Sequence, residues 1–123
     1  MTNEDKLITG NKTLDLEHQQ ILSTLQKLQE PLTKDQRISL CESLLHYIGE
    51  HIEDEENFMI SHDYPEVEKH IDSHYYVQKE TLRHFSDFIN ADIISTKAIY
   101  NIFYNHIIEY DIPMVKYIYT HKD

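Results

Sequence analysis

Apolar side chains recur along this chain three and four residues apart, the spacing that places them on one face of an α-helix. The first such segment begins near residues 14–15 and stops at Pro31. The second begins at residues 33–36, whose sequence TKDQ has the form of a capping box, and is expected to end near Ser61. The buried stripes predicted for the two helices are Leu14, Ile21, Leu22, Leu25 and Leu28, and then Ile38, Cys41, Leu44, Leu45, Ile48, Ile52, Phe58 and Met59.

The pattern predicts two more helices after a turn at residues 62–65. Pro65 suits the first position of the third helix. Asp92 or Ser95 is expected to cap the fourth, which Pro113 should distort or end, because proline lacks an N–H and its ring clashes with a preceding carbonyl. The predicted stripes are Val67, Ile71, Val77, Leu82, Phe85 and Ile89, and then Ile99, Ile102, Phe103 and Ile107.

The short connections favour helices that pack antiparallel to their neighbours in the chain. We therefore predict an all-α fold, an up-down-up-down antiparallel four-helix bundle with a short N-terminal arm. A chain of 123 residues suits one domain, residues 1–123, with the bundle at about residues 14–118. Only two glycines and three prolines are present, which favours long helices over a turn-rich β fold.

Composition narrows the possible functions. A formal net charge of −11 repels phosphate backbones and anionic lipid headgroups, so we expect no nucleic-acid and no membrane partner. Cys41 is the one cysteine, which excludes an intrachain disulfide and a zinc–thiolate cluster. The start of the chain lacks the apolar run of a secretory signal, and we expect a reducing, cytoplasmic location.

Histidine is unusually frequent, with nine residues, and several interrupt the apolar stripes where leucine would be expected. Pairs four residues apart, such as His51 with Glu55 and His70 with His74, project from one helix face and can share a metal ion. Counted from the turns, the candidates fall at similar depths, although His18 requires the second helix to extend past the first. The candidate metal ligands are His18, His51, Glu55, His70, His74, His106 and Asp111.

A single histidine on an apolar face is more often a hydrogen-bonded core residue than a ligand, and a single Glu there is usually at the edge of a stripe. Seven such residues on four helices are harder to explain in this way, because each unpaired buried polar group would cost about 1–3 kcal/mol. Seven ligands are too many for one ion. Five imidazoles with two carboxylates are too rich in nitrogen for magnesium or calcium, and two first-row metals bridged by the carboxylates fit best.

These residues resemble the hemerythrin family, specifically its single-domain bacterial members, over residues 10–117. The resemblance is carried by four motifs in order: GNKTLDLEH at 10–18, HIEDEENFM at 51–59, YPEVEKHIDSH at 64–74 and NHIIEYD at 105–111. The chain departs from the family in having no Trp, and Ile102-Phe103 stands where the family often has Trp-Leu. Asp15 is expected to cap the first helix, and Glu56 to be either solvated or a hydrogen-bond partner of a ligand imidazole.

The resemblance implies a non-haem di-iron centre with a solvent-derived oxo or hydroxo bridge. One iron would be bound by His70, His74 and His106 and the other by His18 and His51, with Glu55 and Asp111 bridging them.

O2 would bind at the two-histidine iron, in a pocket walled by Phe103 and Ile107. The implied function is reversible O2 binding for transport, storage or delivery, rather than enzymatic catalysis. The chain is expected to be a monomer or a weak homo-oligomer. An O2 or redox sensor acting through a partner protein, or a peroxidase-like di-iron enzyme, is the alternative.

Overall fold

The computed structural model describes residues 7–91 and 96–121, with the backbone alone at residues 88–91 and 96. Over these ranges the regular structure is helical, and no strand occurs in them, so the all-α prediction is confirmed. Residues 92–95, including the predicted caps Asp92 and Ser95, lie outside the described residues, as does the side chain of Ile89. The elements are α1 (Lys12–Lys27), α2 (Lys34–Ser61), α3 (Val67–Ala91), α4 (Thr96–His106), a π-helical turn (Ile107–Asp111) and α5 (Ile112–Thr120).

Side-chain caps fix where the first two helices begin. The predicted capping box is confirmed: the Thr33 hydroxyl accepts from the Gln36 N–H, and the Gln36 side chain accepts from the Thr33 N–H. Asn11 caps α1, so the prediction that Asp15 has this role was wrong. Asp15 instead accepts hydrogen bonds from residues 9 and 10, which ties the arm to the first turn of α1.

Each helix packs on the next one along the chain, and α1 also contacts α4. His18 is level with His51, since their ring centroids are 4.4 Å apart, and α2, with 28 residues, is longer than α1, with 16. The apolar core has two parts. The larger contains Ile21, Ile48, Phe85 and Phe103, and the smaller contains Leu14, Met59, Met114 and Ile118.

Of the two outcomes predicted for Pro113, distortion of the fourth helix is confirmed and its termination there is wrong. The chain passes through one π-helical turn and continues as α5 to Thr120. A π turn contains an extra residue, so His106 and Asp111, five apart, come to the same face of the rod. Pro113 follows directly and lacks the N–H that an uninterrupted α-helix would use.

The stripe predicted for α3 was partly wrong. Ile71 is 38% exposed and Leu82 is 53% exposed, whereas Phe85 is 3% exposed. The buried face includes His70 and Thr81, which directly precede Ile71 and Leu82. One residue turns the chain by about 100° around the helix axis, so the residue after a buried one points away from the core. Polar residues occupy part of the inner face, so apolarity alone misplaced it by one position.

Candidate metal centre

A buried polar cluster lies between the two parts of the apolar core. It contains all seven candidate ligands predicted from the sequence, and none of them is more than 6% exposed. On the inner face of each helix, the candidate ligands lie between buried apolar residues. On α2, for example, His51 and Glu55 follow Ile48 and precede Met59. The cluster members are His18 from α1, His51 and Glu55 from α2, His70 and His74 from α3, His106 from α4 and Asp111 from the π turn.

Glu55 lies between two groups of histidines. Its Oε1 contacts Nε2 of His70 and is 2.9 Å from Nε2 of His74. Its Oε2 faces the other way and is 2.9 Å from Nε2 of His51. The two oxygens of one carboxylate therefore address imidazoles on different sides of the cluster.

Asp111 repeats this arrangement from the π turn. Its Oδ1 is 2.8 Å from Nε2 of His70 and 3.0 Å from Nε2 of His106. Its Oδ2 is 3.0 Å from Nε2 of His18. Two sets of converging ligand atoms result, each with its atoms within 4.8 Å of one another, and both carboxylates belong to both sets. We call them the three-histidine set (His70, His74, His106) and the two-histidine set (His18, His51).

Several of these inward atoms have close neighbours but no hydrogen bond of acceptable geometry. They are Nε2 of His18, His51 and His106, Oε2 of Glu55 and Oδ2 of Asp111. Each buried polar atom left in this way costs about 1–3 kcal/mol, so a protein core would not collect five of them without compensation. Imidazole and carboxylate donors aimed at a common space are what a first-row metal ion requires, and these residues could hold one.

The charges of the cluster are mutually dependent. Burial by itself raises the pKa of Glu55, but close contacts with the surrounding imidazoles outweigh burial and hold this pKa well below its usual range. Burial and the charge of Glu55 raise the pKa of Asp111, but the charge and close contact of His106 outweigh them and lower it. Both acids are therefore ionised, as metal ligands must be.

The imidazoles respond in the opposite direction. Burial lowers the pKa of His51, but the hydrogen bond to Glu17 and the close contact with the Glu55 carboxylate outweigh it and raise this pKa to about 10. Burial likewise lowers the pKa of His106, but the charge and close contact of Asp111 raise it to about 9. Near neutral pH both rings are therefore in the protonated, cationic form, and a metal ion would have to displace a proton from each to bind it.

Three of the candidate ligand imidazoles also make a hydrogen bond on their outer side. Nδ1 of His51 is 2.9 Å from Oε1 of Glu17, and Nδ1 of His74 is 2.9 Å from Oε2 of Glu56. Nδ1 of His106 is 2.7 Å from the hydroxyl of Ser73. Of the two roles expected for Glu56, that of an imidazole partner is the one found. Sequence reasoning missed Glu17 and Ser73, although each stands next to a candidate ligand.

The two predicted wall residues, Phe103 and Ile107, are buried and line a small cavity against both histidine sets. The candidate ligands that line the same cavity are His18 and His51 of the two-histidine set, His74 and His106 of the three-histidine set, and Asp111. The cavity leaves ≈ 10 Å³ for the centre of a water-sized molecule, which is about the minimum that holds one. On the other side, Tyr110 is half-buried and stacks on His106, with ring centroids 5.4 Å apart and planes 19° apart.

No helix in the described ranges has an apolar stretch that would cross a membrane. Comparisons of the chain with protein-family models, with curated proteins and with solved structures found no match. The class that the site defines is therefore an all-helical protein with a buried cluster of histidines and carboxylates that could hold metal. The resemblance to hemerythrins stays a prediction.

Proposed function

We propose that this protein is a hemerythrin-like di-iron protein that binds O2 reversibly, for transport, storage or delivery. The observation that carries the proposal is the position of the two carboxylates. Glu55 and Asp111 each present one oxygen to the three-histidine set and the other to the two-histidine set. Carboxylates in this position could serve both ions of a pair, and each would also supply negative charge that offsets the charge of the metals.

The proposed fold is the up-down-up-down antiparallel bundle. Two contacts between distant parts of the chain support it. The amide of Asn11, before α1, is 3.1 Å from the hydroxyl of Tyr119 near the end of α5. Tyr64, which follows α2, packs edge-on against Tyr117. In an antiparallel bundle the start of the first helix, the end of the second and the end of the fourth meet in this way.

In the proposed centre, His70, His74 and His106 would hold one iron, and His18 and His51 would hold the other. The bound pair would supply reversible exchange of electrons with O2. An ion held by the two-histidine set would have one protein ligand fewer than an ion held by the three-histidine set, and would therefore have more room for a small ligand. The two-histidine side is therefore the proposed O2 side.

The chain's own contribution on that side is exclusion of water. Phe103 and Ile107 leave room for little more than one small molecule beside the candidate ligands, His18 and His51 among them. A cavity this small would admit O2 but would disfavour the solvation of a departing anion, which favours reversible binding over turnover. A cytoplasmic location belongs to the same proposal, since an unpaired buried cysteine, Cys41, is typical of a reducing compartment.

One observation favours a second candidate, a peroxidase-like di-iron enzyme. Tyr110 contacts two members of the three-histidine set, since its ring centroid is also 5.7 Å from that of His70. A half-buried phenol in this place can pass an electron between the surface and the centre. The carrier is preferred because the described cavity beside Phe103 and Ile107 offers no acid or base other than the candidate ligands themselves.

Metal analysis and an optical titration test the proposal. The purified chain, reconstituted with Fe²⁺ under argon, should contain two irons, develop a visible absorption band in air and lose it under vacuum. His18→Ala should lose iron, while His46→Ala, a change at an exposed histidine outside the cluster, should not. Absence of iron binding would contradict the proposal, and steady peroxide consumption with a reductant would favour the enzyme.

A further inference from the structure

The outer hydrogen bonds of the ligand imidazoles follow a rule in the sequence. Each outer partner is the immediate neighbour of an inner ligand: Glu17 precedes His18, Glu56 follows Glu55, and Ser73 precedes His74. Consecutive residues on an α-helix point about 100° apart. When one of the two points to the axis of the bundle, the other points sideways to the adjacent helix.

The sideways residues connect the helices in chain order. Glu17 on α1 binds His51 on α2, Glu56 on α2 binds His74 on α3, and Ser73 on α3 binds His106 on α4. Each connection ends on a candidate ligand rather than on backbone. By contrast, the buried Nδ1 atoms of His18 and His70 have no hydrogen-bond partner among the described residues.

The carboxylates are distributed evenly between the two sets. His51, backed by Glu17, belongs to the two-histidine set, and His74, backed by Glu56, belongs to the three-histidine set. A carboxylate that accepts from Nδ1–H fixes the tautomer, so that the lone pair of a neutral ring is on Nε2 and faces inward. It also makes that nitrogen a stronger donor to a metal, whereas a serine hydroxyl does so more weakly.

We propose that Glu17 and Glu56 are positioning residues, one for each metal, that orient a ligand imidazole and raise its affinity for the ion, and that Ser73 orients His106 with a smaller effect. This inference rests on the proposed two-metal centre. It goes beyond that centre because it assigns to each metal a particular residue that does not touch it.

Metal titration of single variants tests the assignment. The full chain, stripped of metal, is titrated with Co²⁺, whose visible spectrum reports coordination at each step. Glu17→Gln should weaken one of the two binding steps by about 10–100-fold, and Glu56→Gln should weaken the other by a similar factor. Ser73→Ala should act on the same step as Glu56→Gln but more weakly, because both residues support the three-histidine set.

The matched control is Glu50→Gln. Glu50 lies on α2 directly before His51, but its side chain is exposed and pairs at 2.7 Å with the exposed His46 rather than with a candidate ligand. It should leave both steps unchanged. A second readout, which a general loosening of the fold would not reproduce, is the ¹⁵N spectrum of the zinc-loaded protein. Glu17→Gln should alter the Nδ1 signal of His51 and leave that of His74 unchanged. Glu56→Gln should alter the Nδ1 signal of His74 and leave that of His51 unchanged.

The outcomes separate the two proposals. If the unaltered chain binds no Co²⁺ and no iron, the metal centre fails and the positioning roles fail with it. If the unaltered chain binds two ions and the Glu17 and Glu56 variants match the control, the positioning roles are wrong and the metal centre stands. If either variant weakens both steps equally, the assignment of one residue to each metal is wrong.

Discussion

Glu55→Gln tests the cluster in the metal-free protein, because the substitution keeps the shape of the side chain and removes its charge. Glu55 is completely buried and has His51, His70 and His74 within contact distance of its two oxygens. The amide has one oxygen instead of two, and its NH₂ group must face a protonated imidazole. The variant therefore leaves positive charge in the core with one carboxylate fewer to balance it.

The expected loss follows from the cost of breaking a buried charged network, about 3–5 kcal/mol. A domain of this size has a total stability of about 5–15 kcal/mol, so the variant should retain its fold but unfold at a much lower urea concentration. Urea unfolding of EDTA-treated protein, followed by far-ultraviolet circular dichroism, measures the difference by linear extrapolation. Glu50→Gln, at an exposed pair with His46, should change the unfolding free energy by less than about 0.5 kcal/mol.

The same variant has a separate consequence for metal binding. Glu55 belongs to both ligand sets, so its loss should remove the ability to hold two ions while leaving a weaker site for one. Equal urea midpoints for the Glu55 and Glu50 variants would refute the charged network. Normal binding of two ions by Glu55→Gln would refute its bridging position, whatever the stability result.

Three further predictions concern protons and thiol chemistry. Metal uptake near pH 7 should release protons, because the pKa values of His51 and His106, about 10 and about 9, keep both rings protonated there; a pH-stat titration without release would contradict this. Both folded-state pKa values lie above the ordinary 6.5, so their contribution to the stability of the metal-free protein is complete below pH 6.5 and is lost as the pH rises through 9–10; urea midpoints at pH 7 and 10 measure the loss. Burial raises the pKa of the Cys41 thiol to about 11, so thiol reagents should label native protein only as fast as it opens, and rapid labelling would show an accessible sulfur.

The sequence was most informative where a single physical rule decides the outcome. Thr33 and Gln36 form a capping box because their spacing alone brings the two hydrogen bonds together. The candidate ligands on α2 and α3 converge because residues four apart share a face, and this holds wherever the chain is helical. That the seven residues meet could be expected from the sequence; that they bind iron is still a proposal.

The sequence was least informative where two rules compete. Ile71 and Leu82 were placed inside because they are apolar, but the inner face of α3 is partly polar, and helix geometry then requires both residues to be outside. Asp15 has the side chain of a cap, yet Asn11 occupies that position, and Asp15 binds the arm instead. Glu17 was not singled out from the sequence, because nothing in the spacing within one helix indicates a partner on another helix.

The π turn connects the fold, the site and the stability of the protein. An α-helix through residues 107–111 would place Asp111 well off the face that carries His106, and a bridging acid at this position would be lost. The chain contains this less favourable helical turn just before Pro113, and its apolar core is divided into two parts by the buried charged cluster. A protein organised in this way gains stability from a bound ion in proportion to RT ln(1 + [L]/Kd), since the unfolded chain does not hold the ligands together. Metal binding and folding are therefore expected to be coupled, and loss of metal should lower the unfolding temperature of the unaltered chain more than that of any variant that already lacks Glu55.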